Sequence, residues 1–365
     1  MKDKEFGYAM KALRMVIRRE WHRMTSRRLY LGVCVVLPLL CLFFMATIFG
    51  NGQMENIPVG IVDLDNTATS RNISRRISAA PTFRVTEHFT DEADARRALQ
   101  QKDIYGYLVI PPRFEQKAVT GTGATLTYYY HYALLSVGSE LMAAFENTLA
   151  PVALSPIVMQ AEALGVSGEQ IQTFLLPVEA STHPLYNPDM DYSIYLSQPF
   201  FFVLFQILIL LTTVYSIGSE LKFGSAGEWL EMARGNILTA VAGKLLPYTL
   251  IFSSIGILAN YVLFGPLHIP FAGSLWLMNA VTVLFIIATQ ALAVFIYSVF
   301  PKIAYIISVV SMVGSLGATL SGVTFPVTAM YAPVHAASYL FPVRHFTEAA
   351  QAMIYFLSLI HISEP

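Results

Sequence analysis

From Leu245 to Pro301 the chain carries no Asp, Glu, Lys or Arg. A water-soluble fold has no use for so long a run, because each of its helices must keep one polar face toward solvent. A bilayer demands it, since a charge at the centre of a spanning helix costs at least ~2.5–3.5 kcal/mol on insertion scales. One span takes ~20 residues, so the run accommodates two. Between them lies Phe264-Gly265-Pro266-Leu267-His268-Ile269-Pro270, where a glycine and two prolines favour a turn. The expected fold class is a polytopic α-helical membrane protein.

Charge asymmetry orients it. Residues 1–28 hold nine basic side chains against three acids, whereas residues 51–192 hold sixteen acids and nine bases. Basic flanks stay in the cytoplasm, and long domains translocate largely regardless of charge. The N-terminus is therefore expected inside and residues 51–191 outside. The basic stretch is not a signal peptide: the apolar run after it, Leu29–Met54, is too long for an h-region and has no clear small-residue cleavage site. Cys34 and Cys41 lie in that run, ~10 Å apart along a helix, too far to bond each other. They are read as small apolar packing residues.

Residues 1–28 are expected to form a cytoplasmic amphipathic helix, with Phe6, Met10, Leu13, Val16 and Ile17 apolar and its basic residues suited to the anionic leaflet. The first span falls in 29–50, with Pro38 tolerated as a kink. An inserted α/β extracytoplasmic domain, 51–191, follows. Its strands are expected at Ile57–Val62, Thr82–His88, Tyr105–Ile110 and Thr125–Tyr130, and its helices at Thr67–Ser78 and Asp91–Gln101. A helical stretch from Leu134 to about Leu164, a second helix after Ser167 and a re-entry at Asn187-Pro188 complete it. The transmembrane domain, 192–362, has spans at about 192–219, 245–264, 275–300 and 303–320. A cytoplasmic segment, 220–244, joins the first two of these. Ser321–Val343 is uncharged and rich in proline and aromatics, suiting an interfacial or re-entrant segment on the outer side. Five spans are thus present. A sixth is read as truncated, because Met353–Ile362 is short for a span and the ending Leu357-Ser358-Leu359-Ile360-His361-Ile362-Ser363-Glu364-Pro365 resembles a translated sequencing-adapter tail.

Three stretches carry a family resemblance. One is Val62-Asp63-Leu64-Asp65-Asn66-Thr67 with Ser70-Arg71, followed by Tyr105-Gly106-Tyr107-Leu108-Val109-Ile110-Pro111. Another is Tyr186-Asn187-Pro188 through Tyr192 and Tyr195. The most specific is Ser219-Glu220, Gly224-Ser225, Glu228 and Leu230, then Gly243-Lys244-Leu245-Leu246-Pro247. Together with the layout they resemble the permease subunit of type-2 ABC exporters, in the subgroup with a large exterior domain after the first helix. The resemblance implies that Glu220, Lys222, Gly224, Glu228, Leu230, Arg234, Gly243 and Lys244 abut an ABC ATPase subunit. The chain itself would carry no cofactor; ATP and Mg would sit on that partner. It would pair with a second copy or a sister permease in a bacterial cytoplasmic membrane. The resemblance also implies that a periplasmic adaptor and an outer-membrane channel could be further partners, and that the cargo would be a drug-like, lipid-like or other amphipathic compound moved outward. In one departure, Ala233-Arg234 stands where the family often has Thr-Pro, which puts the shape of that turn in doubt.

The residues themselves allow fewer classes than composition alone. No Gly-x-x-x-x-Gly-Lys-Ser/Thr is present, since Gly243-Lys244 is followed by Leu245, so ATP hydrolysis is assigned to a separate subunit. Nothing points to nucleic acid. His88, His131, His183, His335 and His345 lack metal-ligand spacing and are read as structural or surface residues. Asp63-Leu64-Asp65-Asn66-Thr67 matches a phosphatase signature in which the two aspartates act as nucleophile and acid. The simpler alternative is that Asp65 or Asn66 caps the following helix. The spans hold no internal carboxylate or lysine, which disfavours an ion-coupled carrier. Gln206, Thr213, Asn279 and Gln290 could line a substrate path; holding helices together is the plainer role. Tyr128-Tyr129-Tyr130-His131-Tyr132 is either a docking surface or a buried strand. The alternative function is a non-transporting membrane protein whose exterior domain serves as a receptor or sensor surface.

Overall fold

The computed structural model describes residues 2–48, 52, 54–120, 122–163, 187, 191–267 and 269–355. In chain order, helix α1 (Lys2–Ser26) passes through Arg27 into α2 (Arg28–Ile48). Strand β1 (Ile57–Asp63), α3 (Ala68–Ala79), β2 (Phe83–Phe89), α4 (Glu92–Gln101), β3 (Gly106–Ile110), α5 (Phe114–Thr120), β4 (Thr127–Tyr130) and α6 (Leu135–Ala163) follow. The remaining helices are α7 (Ser193–Lys222), α8 (Ala226–Met232), α9 (Ile237–Phe264), α10 (Leu275–Val299), α11 (Ile303–Leu320), α12 (Ala332–Ser338) and α13 (Pro342–Tyr355). The chain divides into two units, Gln53–His183 and Met1–Gly52 with Pro184–Pro365. The expected helix after Ser167, His183, and most of the expected last span lie outside the described residues.

In the unit made from the two ends of the chain, α2, α7, α9 and α10 are long and apolar enough to cross a membrane. The segment expected as a further span is helical in α11, with a shorter apolar stretch, Tyr305–Leu320. The protein is thus a polytopic helical membrane protein. Proline shapes two of these helices. Pro38 and Pro199 lack an N–H and crowd the carbonyl four residues back, and each is preceded by a wider π turn, Gly32–Val36 and Ser193–Ser197. Helix α7 starts where Asn187 brackets Asp191, its Nδ2 donating to Asp191 O at 3.0 Å and its Oδ1 accepting Asp191 N at 2.9 Å. The Asp191 carboxylate then accepts Ser193 N at 2.6 Å. Rings from α7, α10 and α13 form the core, with Phe346 centred 4.2 Å from Phe202 and 4.8 Å from Phe285.

The unit Gln53–His183 is built on a four-stranded sheet of order β2-β1-β3-β4. The first three strands are parallel and β4 is antiparallel to β3. Helices α3, α5 and α6 pack Ile73, Ile77, Phe114, Leu141 and Phe145 on one face. Helix α4 packs Ala95 and Ala98 on the other. Burial on both faces explains why β1 and β3 read as continuous apolar runs. Strand β4 is an edge, so the tyrosine run is not a buried strand: Tyr128 and Tyr130 are half-buried, Tyr128 stacking 5.0 Å from Phe145, while exposed Tyr129 stacks 4.9 Å from Tyr107.

The aspartates after β1 serve the turns. Asp63 Oδ1 accepts the N–H groups of Asp65 and Asn66, and Oδ2 accepts Ser70 Oγ at 2.7 Å. Neither Asp65 nor Asn66 caps α3; Thr67 does, in a reciprocal capping box with Ser70. Asp65 instead accepts the N–H groups of Phe114 and Glu115 at 2.8 and 3.0 Å, capping α5. Burial pushes the Asp65 pKa up, but these bonds and one from Thr67 Oγ1 outweigh it and hold the carboxyl below the usual range.

Candidate functional site

Ala12, Val16, Glu20 and Met24 lie four residues apart on α1, and each is at most 1% exposed. A carboxylate in an otherwise apolar buried stripe needs a partner, and α9 supplies it. Gly243 lets the two helices approach: a Cβ there would stand 2.9 Å from Val16 Cβ. The neighbouring residue, Lys244, is fully buried and donates from Nζ to Glu20 Oε2 and Glu220 Oε1, both at 2.6 Å. Tyr248 Oη, one turn on, donates to Glu20 Oε1 at 2.7 Å.

Glu220 is the hub. It is fully buried near the end of α7 and accepts from Arg19 Nη1 and Nη2, at 2.8 and 3.0 Å, and from Arg23 at 2.5 Å. Ser225 Oγ donates to its other oxygen. Arg23 also donates to Ser219 Oγ at 2.8 Å. Two carboxylates and three cations from α1, α7 and α9 thus form one network, in which the bond to Glu220 raises the Arg19 pKa. Such a network holds its helices in one register, because moving any of them strands a buried charge.

Beyond Glu220 the chain makes a short connector. Gly224 takes a left-handed φ of 68° to end α7, and Ser225 N returns to Glu220 O at 2.9 Å. Trp229 of α8 is buried, donates from Nε1 to Ala240 O at 3.1 Å and lies over Lys244, whose Nζ is 5.3 Å from its ring. The turn out of α8 uses left-handed Arg234 and Gly235, φ 56° and 74°, before Asn236 caps α9 through Thr239 N. This is the form taken where Ala233-Arg234 replaces Thr-Pro. The Arg234 guanidinium sits 4.6 Å over the Tyr8 ring, tying the connector to α1.

The eight residues expected at an ATPase contact therefore divide. Glu220, Gly243 and Lys244 are buried, and the two charged ones lie within α7 and α9 rather than in a loop. Lys222, Gly224, Glu228, Leu230 and Arg234 are exposed. Gly227 lies inside α8 and does not interrupt it. On α1, Met10 is exposed rather than part of the apolar face, and Arg19 and Arg23 turn inward to Glu220 instead of toward a lipid leaflet. Glu20, Trp229 and Tyr248 were not singled out from sequence, although the four-residue stripe containing Glu20 was a usable signal.

The polar residues of the spans bridge helices. Gln206 Oε1 accepts Val343 N at 2.9 Å, Thr249 Oγ1 donates to Gln290 Oε1 at 2.7 Å, and Asn260 Nδ2 donates to both Asn279 Oδ1 and Thr282 Oγ1 at 2.9 Å. Thr213 is buried and its Oγ1 has no hydrogen-bond partner among the described residues. Separately, an apolar cavity of about 250 Å³ lies between α2, α7 and α11, lined by residues including Val33, Leu37, Leu208, Tyr215 and Ile307.

The family model described as "ABC-2 family transporter protein" matches residues 28–363. The chain belongs to this family. It is a membrane permease of an ABC transporter, a transport subunit rather than an ATPase, and it pairs with an ABC ATPase subunit. Neither the curated proteins nor the solved structures contain a match to it.

Proposed function

We propose that this permease is the membrane half of an exporter in a bacterial cytoplasmic membrane. Helix α1 and the connector between α7 and α9 face the cytoplasm, and residues 53–183 lie outside. Two permease chains enclose the route, and ATP and Mg act on the partner subunits. The cargo is an amphipathic compound, and an adaptor and outer channel can extend the route. One observation carries this proposal: an exposed connector rests on a buried charge network that grips α1, α7 and α9 together. A push on Glu228, Leu230 or Arg234 then moves three helices as one body. Rocking of spans driven by ATP-dependent closure of the motors follows from such a grip.

The test is reconstitution of the permease with its ATPase subunit in proteoliposomes, reading ATPase stimulation and movement of a fluorescent amphiphile. Glu228→Arg reverses an exposed charge that forms none of the network's hydrogen bonds and meets it through a Coulomb interaction with Arg19, and should weaken coupling roughly tenfold, or about 1.4 kcal/mol. Full stimulation by this variant would contradict the contact, and inward movement of the amphiphile by the wild type would contradict export.

A further inference from the structure

Arg344 is a buried cation without a buried anion. It is 4% exposed, in the first turn of α13. Its Nη1 donates to Ser338 Oγ at 2.7 Å and its guanidinium lies 3.7 Å from the Tyr339 ring centroid, while Nε has no hydrogen-bond partner among the described residues. No described carboxylate forms an ion pair with it. Between Glu231 and Glu348 the sequence holds no Asp or Glu, and Glu348 is exposed. A guanidinium cannot shed its proton to escape this position. The start of a helix makes matters worse, since the dipole there is also positive, and the first turn of α13 holds no acid.

The neighbouring orphans are of the same kind. Among the described residues, Thr347, one turn along α13 and 1% exposed, has no hydrogen-bond partner for its hydroxyl, and Gln206, which accepts Val343 N through Oε1, has none for Nε2. Three buried groups on α13 or bonded to its first turn, one of them charged, thus each have a donor atom with no acceptor among the described residues. Chance burial of one polar atom is ordinary; two neutral donors beside an uncompensated cation call for an oxyanion.

We infer that the start of α13 is a phosphate-binding site, with Arg344 as the ionic anchor and Thr347 and Gln206 as neutral donors. The planar guanidinium fork suits two phosphate oxygens. In a membrane protein the nearest phosphate belongs to a lipid headgroup, although a soluble phosphate has the same chemistry. This inference does not depend on the direction of transport or on the connector.

The test uses the full chain in a neutral detergent, following thermal unfolding as phosphatidylglycerol, diacylglycerol or inorganic phosphate is added. Wild type should show a saturable rise in Tm with phosphatidylglycerol and none with diacylglycerol, which has the chains without the phosphate. Arg344→Gln should abolish the rise and Arg344→Lys retain part of it. Thr347→Val, which removes a donor and no charge, should need roughly tenfold more lipid for the same effect. A rise with inorganic phosphate alone assigns the site to a soluble anion, and a rise with phosphatidylglycerol only assigns it to a lipid; both support the inference. Equal rises with the two lipids, no rise with any of the three additions, or an undiminished rise in Arg344→Gln, would overturn it. If Arg344→Gln does not fold, native mass spectrometry of the wild type decides: a retained phosphate-bearing ligand on each chain is expected, and none would overturn the site.

Discussion

Replacing Lys244 by Met removes the cation shared by Glu20 and Glu220 while keeping an unbranched side chain of similar length. Both bonds are 2.6 Å long and all three residues are at most 1% exposed, so solvent offers no substitute. Glu220 keeps Arg19, Arg23 and Ser225, but Glu20 is left with the Tyr248 hydroxyl alone. Stranding one buried charge costs about 3–5 kcal/mol. At ~2–4 °C per kcal/mol for a unit of this size, Tm should fall by ~6–20 °C. Trp229 covers Lys244, so intrinsic fluorescence reports on this region during a thermal scan in detergent. The decisive comparison is Glu20→Gln/Lys244→Met. The amide still accepts from Tyr248 and no unpaired charge remains, so the double variant should recover most of the loss, although each single change destabilises. A Tm for Lys244→Met within the error of wild type would refute the network, as would a double variant whose loss is the sum of the two singles.

Gly243→Val should force α1 away from α9, because the new Cβ alone would stand 2.9 Å from Val16; ATPase stimulation should fall more than tenfold, whereas Gly224→Ala, with nothing within 4 Å, should strain only a left-handed turn, by about 1 kcal/mol in the same assay. Asp65→Asn should weaken the cap of α5 by ~1–2 kcal/mol, read as faster hydrogen exchange at the Phe114 and Glu115 amides. The Asp65 pKa is lowered by folding, so its contribution is complete above the unfolded carboxyl pKa and disappears as pH falls through the folded value. Exchange at these two amides should therefore gain an additional acid dependence in the wild type that Asp65→Asn lacks.

The spans and strands were legible because each rests on a local pattern. An uncharged run announces a membrane helix wherever it lies, and the β1 and β3 runs, bounded by turn residues, announce buried strands. The site was half-legible for the same reason. A hydropathy reading ends a span at its first charge, so Glu220 and Lys244 were assigned to a loop although α7 and α9 continue through them. What keeps them buried is Glu20, Arg19 and Arg23, which approach from about two hundred positions away in sequence. No window of neighbouring residues contains that information. Arg344 was passed over for a related reason: its anomaly is the lack of a partner, which becomes visible only once its surroundings are known.

The central claim is the proposed one, that the motor meets this permease at the connector. A single cysteine placed by Glu228→Cys, in a chain with Cys34→Ser and Cys41→Ser, tests it when the ATPase subunit is co-expressed and a thiol-to-amine crosslinker is added. The account predicts a permease–ATPase adduct from position 228 and none from a cysteine at Tyr129. Adducts from position 129, with position 228 instead labelled by a membrane-impermeant reagent applied from outside intact cells, would contradict it.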